Sequence, residues 1–222
     1  MEAGATCELS SLRCARLAAD LSSVRLGDEG SAFAIARLAI RYILDDDDAR
    51  KSLAYSGSAA LASPPVPLID ALLDYFGVAD AAELVDKTYS DHSTPNSRSF
   101  TAAETNRKVW IAEAARIVFA HAFGDSVDES SRLAALGLVT AGVQPMVDLA
   151  TRLVGDRSVI VPSRSSLSLG GGLWKVPGYR ELLQRGLKER GIVFADAVVV
   201  GDAPEEGAKA LVAQGVVSSG VH

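Results

Sequence analysis

Gly155 divides the sequence into two textures. Ahead of it, apolar residues recur at helical spacing; behind it, short β-branched runs alternate with turns marked by glycine and proline. An all-helical two-thirds is followed by a β-β-α-β-α third, which places the chain in the α/β class. That third holds too few strands for a complete layered sheet, so pairing with something absent is expected. No internal repeat is visible.

The helical part opens weakly, with a short helix over Leu9–Leu21. The strong signal begins at Gly27-Asp28-Glu29-Gly30-Ser31, and the run Phe33–Leu44 behind it is apolar except for Arg37 and Arg41. This is a largely buried helix, expected to stop at Asp45–Asp48 because acid at a helix C-terminus opposes the dipole. Tyr55–Pro67 and Asp91–Phe100 read as loops. Leu68–Phe76, closed by Gly77, and Ala81–Val85 read as short helices. Thr101 and Glu104 form a Thr-x-x-Glu capping box ahead of a helix through Phe123. A further helix runs from about Asp128 toward Leu153, with Pro145 expected to kink or divide it. In the last third, Ser158–Val161, Ser166–Leu169 and Phe194–Val200 read as strands. Pro177–Arg190 and Glu205–Ala213 read as helices.

Charge and cysteine content narrow the functional classes. The 222 residues carry 22 Lys and Arg against 28 Asp and Glu, a net charge of −6. No basic stripe is present, so no nucleic-acid partner is expected. The longest apolar stretches are interrupted by Arg, Asp or Pro, so no membrane span is expected. Cys7 and Cys14 cannot form a disulfide framework and share no Cys-x-x-Cys. They read as packing residues on one helix face. A reducing, cytoplasmic setting follows, with no signal-peptide core near the N-terminus. His92, His121 and His222 stand in no metal-ligand spacing.

Three stretches could carry chemistry. Asp28 and Glu29 sit between two glycines directly before a helix, where a carboxylate can accept hydrogen bonds from neighbouring sugar hydroxyls. Spacing alone favours the simpler role of a helix start, with Asp28 and Ser31 as caps and Glu29 favouring the dipole. Leu169-Gly170-Gly171-Gly172-Leu173-Trp174 runs a strand into a glycine turn that suits close approach of a flat ring or a phosphate. It is neither a Walker loop nor Gly-x-Gly-x-x-Gly, and a tight turn explains it as well. Gly207-Ala208 falls in the last helix, where small residues permit close packing.

Together, in this order, these stretches resemble the C-terminal half of the N-acetylglucosamine kinases, in the BadF-type ATPase branch of the actin/hexokinase/Hsp70 fold. Leu26-Gly27-Asp28-Glu29-Gly30-Ser31-Ala32-Phe33 carries most of the resemblance. Leu68–Gly77, Ile111-Ala112-Glu113-Ala114-Ala115, Gly171–Lys175 and Gly207-Ala208 add to it, over roughly residues 25 to 213. The resemblance implies an actin-like (ribonuclease H-like) C-terminal lobe over 25–222 behind an unmatched segment 1–24. It implies transfer of the ATP γ-phosphoryl group to the 6-hydroxyl of N-acetylglucosamine, with Mg²⁺ bridging phosphates. Asp28 would bind sugar hydroxyls with Glu29 beside it. Gly171 and Gly172 would lie against adenosine, Thr105 would contact the nucleotide, and Gly207 would pack under the cleft. The acidic pair and the glycine bend are expected to line one hollow. The partner is a small sugar, and the resemblance leaves room for a homodimer.

The sequence also departs from that family. It contains no Asp-Gly-Gly phosphate loop and no counterpart of the Asp that takes the sugar hydroxyl's proton. No catalytic residue or protein metal ligand is assigned. The chain is expected to be truncated, poorly soluble and inactive alone. A non-catalytic remnant that binds partners or nucleotide is the competing reading. An ATPase that activates a dehydratase through an iron–sulfur cluster is the third, and the two cysteines do not fit it.

Overall fold

A computed structural model describes residues 28–57, 66–89, 100–201, 205, 206, 208, 209 and 212, with backbone only for 100–104. The calls on Leu9–Leu21, Cys7, Cys14, His92, His222, Gly207 and most of both loops lie outside the described residues. Among the described residues the chain is mostly helical, with one two-stranded parallel sheet. It divides into two compact units, Met1–Met146 and Val147–His222.

In the first unit, α1 spans Ala32–Tyr55. Ser31 caps it, its Oγ accepting from Ala34 N at 3.2 Å. Ile35, Ala39 and Ile43, one turn apart, are buried. The expected stop at Asp45–Asp48 does not occur. Arg50 and Lys51 lie four residues beyond Asp46 and Asp47 and pair with them at 2.6 Å each, which carries the helix through the acidic block.

The remaining elements of this unit are α2 (Pro67–Phe76), α3 (Ala81–Tyr89), α4 (Phe100–Glu113), α5 (Ala115–Phe123) and most of α6 (Glu129–Val154). Helix α2 buries Leu68, Ile69, Leu72 and Phe76 and closes at Gly77, as its apolar spacing predicts. No side chain at Val66 caps it. The buried Ser131 hydroxyl of α6 instead accepts from Leu68 N at 3.0 Å. The reciprocal acidic cap falls at α3: Asp80 accepts from Ala82 N and Glu83 N, and Glu83 accepts from Ala79 N. Helix α4 begins at Phe100, one residue ahead of the threonine expected to cap it.

The single helix expected through Phe123 is two. At Ala114 the ladder tightens to three-residue bonds, Ala114 N to Ile111 O and Ile117 N to Ala114 O. Ile111, Ala114, Ala115 and Val118 are all buried, so the tightened turn keeps apolar residues on both sides against the core. Pro145 does not divide α6, which runs on to Val154; the boundary between the units falls one residue beyond it. Helix α6 is, contrary to expectation, long and apolar enough to cross a membrane by length and composition. Its buried positions Ala135, Val139 and Val143 recur at helical spacing, so that apolar content serves a core face. At Gly142 it approaches Ile35 of α1 so closely that an added methyl would stand 2.7 Å from Cγ1.

In the second unit, β1 (Ser166–Gly170) pairs in parallel with β2 (Asp196–Val200), Leu169 opposite Val199. Helix α7 (Pro177–Glu189) makes the crossover that parallel pairing requires. Leu169, Trp174, Leu183, Leu187 and Ile192 form the core around Tyr179, whose ring stacks on Trp174 at 4.8 Å. Burial pushes the Tyr179 phenol above its ordinary value. Arg190 pairs with Asp148 of α6 at 2.6 Å. The strand expected at Ser158–Val161 is absent. Val159 and Val161 lie exposed there, and among the described residues no neighbouring strand supplies a ladder. Of the last helix, Glu205, Glu206, Ala208, Lys209 and Val212 are described and helical.

Two stability outcomes follow. Gly30 has φ +76°, and an added Cβ would stand 2.4 Å from Met146 Cγ. Gly30→Ala should cost about 1–3 kcal/mol in urea denaturation. Gly137→Ala, in open space on α6, should be neutral or stabilising. Equal effects at both sites would refute the strained-turn assignment. Second, hydrogen bonds from Ser130 and Ser131 hold the Asp128 carboxyl down to about 2. A carboxyl depressed by folding stabilises above its unfolded pKa of about 4 and loses that contribution as pH falls through its folded pKa. The melting difference between the unaltered protein and Asp128→Ala should therefore be widest at neutral pH and shrink toward pH 2.

Candidate functional site

The turn before α1 is built by Ser31 N bonding Asp28 O at 3.0 Å, with Gly30 supplying the left-handed backbone and lying buried. This sets Asp28 against α4. Its Oδ2 is closed off from solvent and faces the Lys108 ammonium, a contact of opposite charges without hydrogen-bond geometry. The two side chains are 29% and 25% exposed, between a surface pair and a core pair. Lys108 Nζ also stands 5.5 Å from the Phe33 ring centroid, within cation–π range. Glu29, by contrast, is exposed and makes no such contact. Ser31, not Asp28, caps the helix.

Helix α4 is anchored for this role by aromatic packing. Trp110 meets Phe76 edge-on at 5.1 Å and stacks on Tyr75, whose hydroxyl donates to Trp110 O at 2.6 Å. Burial, then the nearby Glu113, raises the Tyr75 phenol above its ordinary value. Thr105 is exposed on α4, three residues before Lys108 and so on the same helix face. The structure thus places Thr105 one turn from the lysine that Asp28 faces. Lys108 is the residue the sequence reading missed. Its only local signal was a basic residue on the face Thr105 was expected to present.

In the second unit, Gly171 and Gly172 follow β1 at its carboxyl end, where β2 also ends. Gly171 has φ +106°, which favours glycine, and an added Cβ on either residue would meet nothing within 4 Å. The bend is bare, exposed backbone. Beside it, a hollow of about 580 Å³ is floored by Val198, Val199 and Val200 and rimmed by Lys175, Glu205 and Glu206. Gly171 and Gly172 do not line it; Lys175, at the end of the turn they open, does. The carboxyl ends of parallel strands are where α/β sheets bind ligands. Among the described residues no three His, Cys, Asp or Glu side chains gather to hold a metal ion.

Compared with known proteins, the chain matches no family model, no curated protein and no solved structure.

The Asp28–Lys108 contact can be measured. A double-mutant cycle of Asp28→Asn and Lys108→Met should give a coupling of about 0.5–2 kcal/mol in urea unfolding. Strict additivity would mean that the two groups do not interact.

Proposed function

We propose that the chain is a sugar- and nucleotide-binding half of an actin-type ATPase fold, in the N-acetylglucosamine kinase branch. Its parent reaction is transfer of the ATP γ-phosphoryl group to the sugar 6-hydroxyl. The observation that supports this most is Asp28: a carboxylate fixed by a glycine turn at the start of α1, partly exposed and beside a cation. With Oδ2 turned to Lys108, Oδ1 is the atom that would accept hydrogen bonds from ring hydroxyls. On the nucleotide side, bare backbone at Gly171–Gly172 suits the flat face of adenosine. Glu205 and Glu206 would repel phosphates, leaving Lys175 as the cation toward which they would turn.

ATP fits this arrangement in its adenosine half. Mg²⁺ would be carried by the nucleotide's phosphates, since the described residues offer no ligand set of their own. The sequence holds no Asp-Gly-Gly loop, and no residue is assigned as the base for the hydroxyl proton. The chain by itself therefore binds without turning over. General-base assistance alone contributes about 10²- to 10⁴-fold.

A second reading has one observation in its favour. Asp28 is already neutralised by Lys108, as a structural tie would be. In that case the chain is a non-catalytic remnant of the fold. Titration calorimetry decides between the two. The sugar-binding reading expects saturable N-acetylglucosamine binding that Asp28→Ala abolishes and ADP binding that it leaves intact, with no sugar-dependent ADP release from ATP. Absence of both binding signals supports the scaffold, and turnover at the rate of a complete kinase refutes both.

A further inference from the structure

The first unit holds a second concave site that owes nothing to the kinase reading. A cleft of about 370 Å³ opens between α1, α3 and α4, lined by Arg37, Arg41 and Arg107 around Phe33, Tyr89 and Ile111. In a chain of net charge −6, three arginines converge on one hollow. Among the described residues none of the three makes an ion pair. Arg37 and Arg41 are also four apart on α1, a spacing at which like charges repel and weaken the helix. Asp45, one turn beyond Arg41, could relieve that repulsion, yet no ion pair joins them, and Arg41 lines the cleft instead. Arg37 stands 5.8 Å from the Phe33 ring centroid, which fixes its guanidinium at the edge of an aromatic wall.

We propose that this cleft binds a small phosphate monoester with an apolar or aromatic body. The arginines present forked donors that match phosphate oxygens, and the ring and aliphatic surfaces receive the organic part. The volume lies at the low end for small-molecule sites, which favours a compact ligand over a polymer backbone. The helix tolerates the adjacent like charges because the ligand's anion offsets them when bound.

The test uses phenyl phosphate on the full chain in 150 mM salt, followed by calorimetry, with phenol and a single-stranded oligonucleotide as separate arms. Phenyl phosphate should bind more tightly than about 1 mM. Arg41→Gln and, independently, Arg107→Gln should each weaken it about 10-fold. Arg152→Gln, on exposed α6 surface, should leave it unchanged. Phenol should bind at least about 10-fold more weakly than its phosphate ester. Without ligand, Arg41→Gln should melt no lower than the unaltered protein, because it removes a repulsive neighbour. No saturation by about 10 mM, or equal affinity in all three variants, overturns the proposal. So does oligonucleotide binding with steep salt dependence in the absence of phenyl phosphate binding. A lowered melting temperature with unaltered phosphate affinity would assign the arginines to the fold and likewise overturn it.

Discussion

The first unit depends on one constraint: α1 must bury an alanine- and isoleucine-rich face against several helices at once. It packs on α3, α4 and α5, and reaches α6 at Gly142. Fully burying a side chain such as Ile35 or Ile43 is worth about 1.5–3 kcal/mol, while small Ala34, Ala36 and Ala39 let neighbouring backbones close in. The orientation of α1 is therefore set by packing along its length. The turn at its start inherits that orientation, and Asp28 faces α4 for this reason. Loosening the packing would move the carboxylate before it unfolded the helix.

The second unit is constrained differently. A parallel pair of strands buries one face through Leu169 while Ser166, Ser168, Asp196 and Val198 stay exposed on the other. Parallel sheets are normally covered on both faces. Among the described residues, α7, Trp174 and Tyr179 supply the buried cover. The Trp174–Tyr179 stack sits within that cover, and α7 also packs through Gly186 against Val147 of α6. Both strands end at the same edge, Gly170 opposite Val200, and the hollow lies against the end of β2.

Much of this was legible in the sequence, where local chemistry decides the outcome. Leu68–Phe76 with Gly77, the β-α-β order after Ser166 and the cap at Ser31 follow from spacing and turn residues. Dipole repulsion alone would end α1 at Asp45–Asp48, but the pairs with Arg50 and Lys51 offset it. Ser158–Val161 had strand composition, but a strand needs a neighbour that composition does not reveal. The break at Ala114 carries no Gly or Pro and arises from packing alone. Asp28 was legible as a site residue; Lys108 was not, because α4 is far from it in sequence and only the fold brings the two together.

The cations around Phe33 link these points. Arg37 and Lys108 both stand within cation–π range of its ring, and Arg107 neighbours Lys108 on α4. Lys108 turns to Asp28, whereas Arg37, Arg41 and Arg107 line the cleft. Phe33 thus contacts a cation of the neutralised pair and a cation of the unneutralised cluster. Electrostatics at this range are not independent: removing the charge of Asp28 would leave Lys108 unpaired at the same ring as Arg37 and raise the repulsion between the two. The Asp28–Lys108 pair and the arginine cleft are therefore linked electrostatically through α1 and α4.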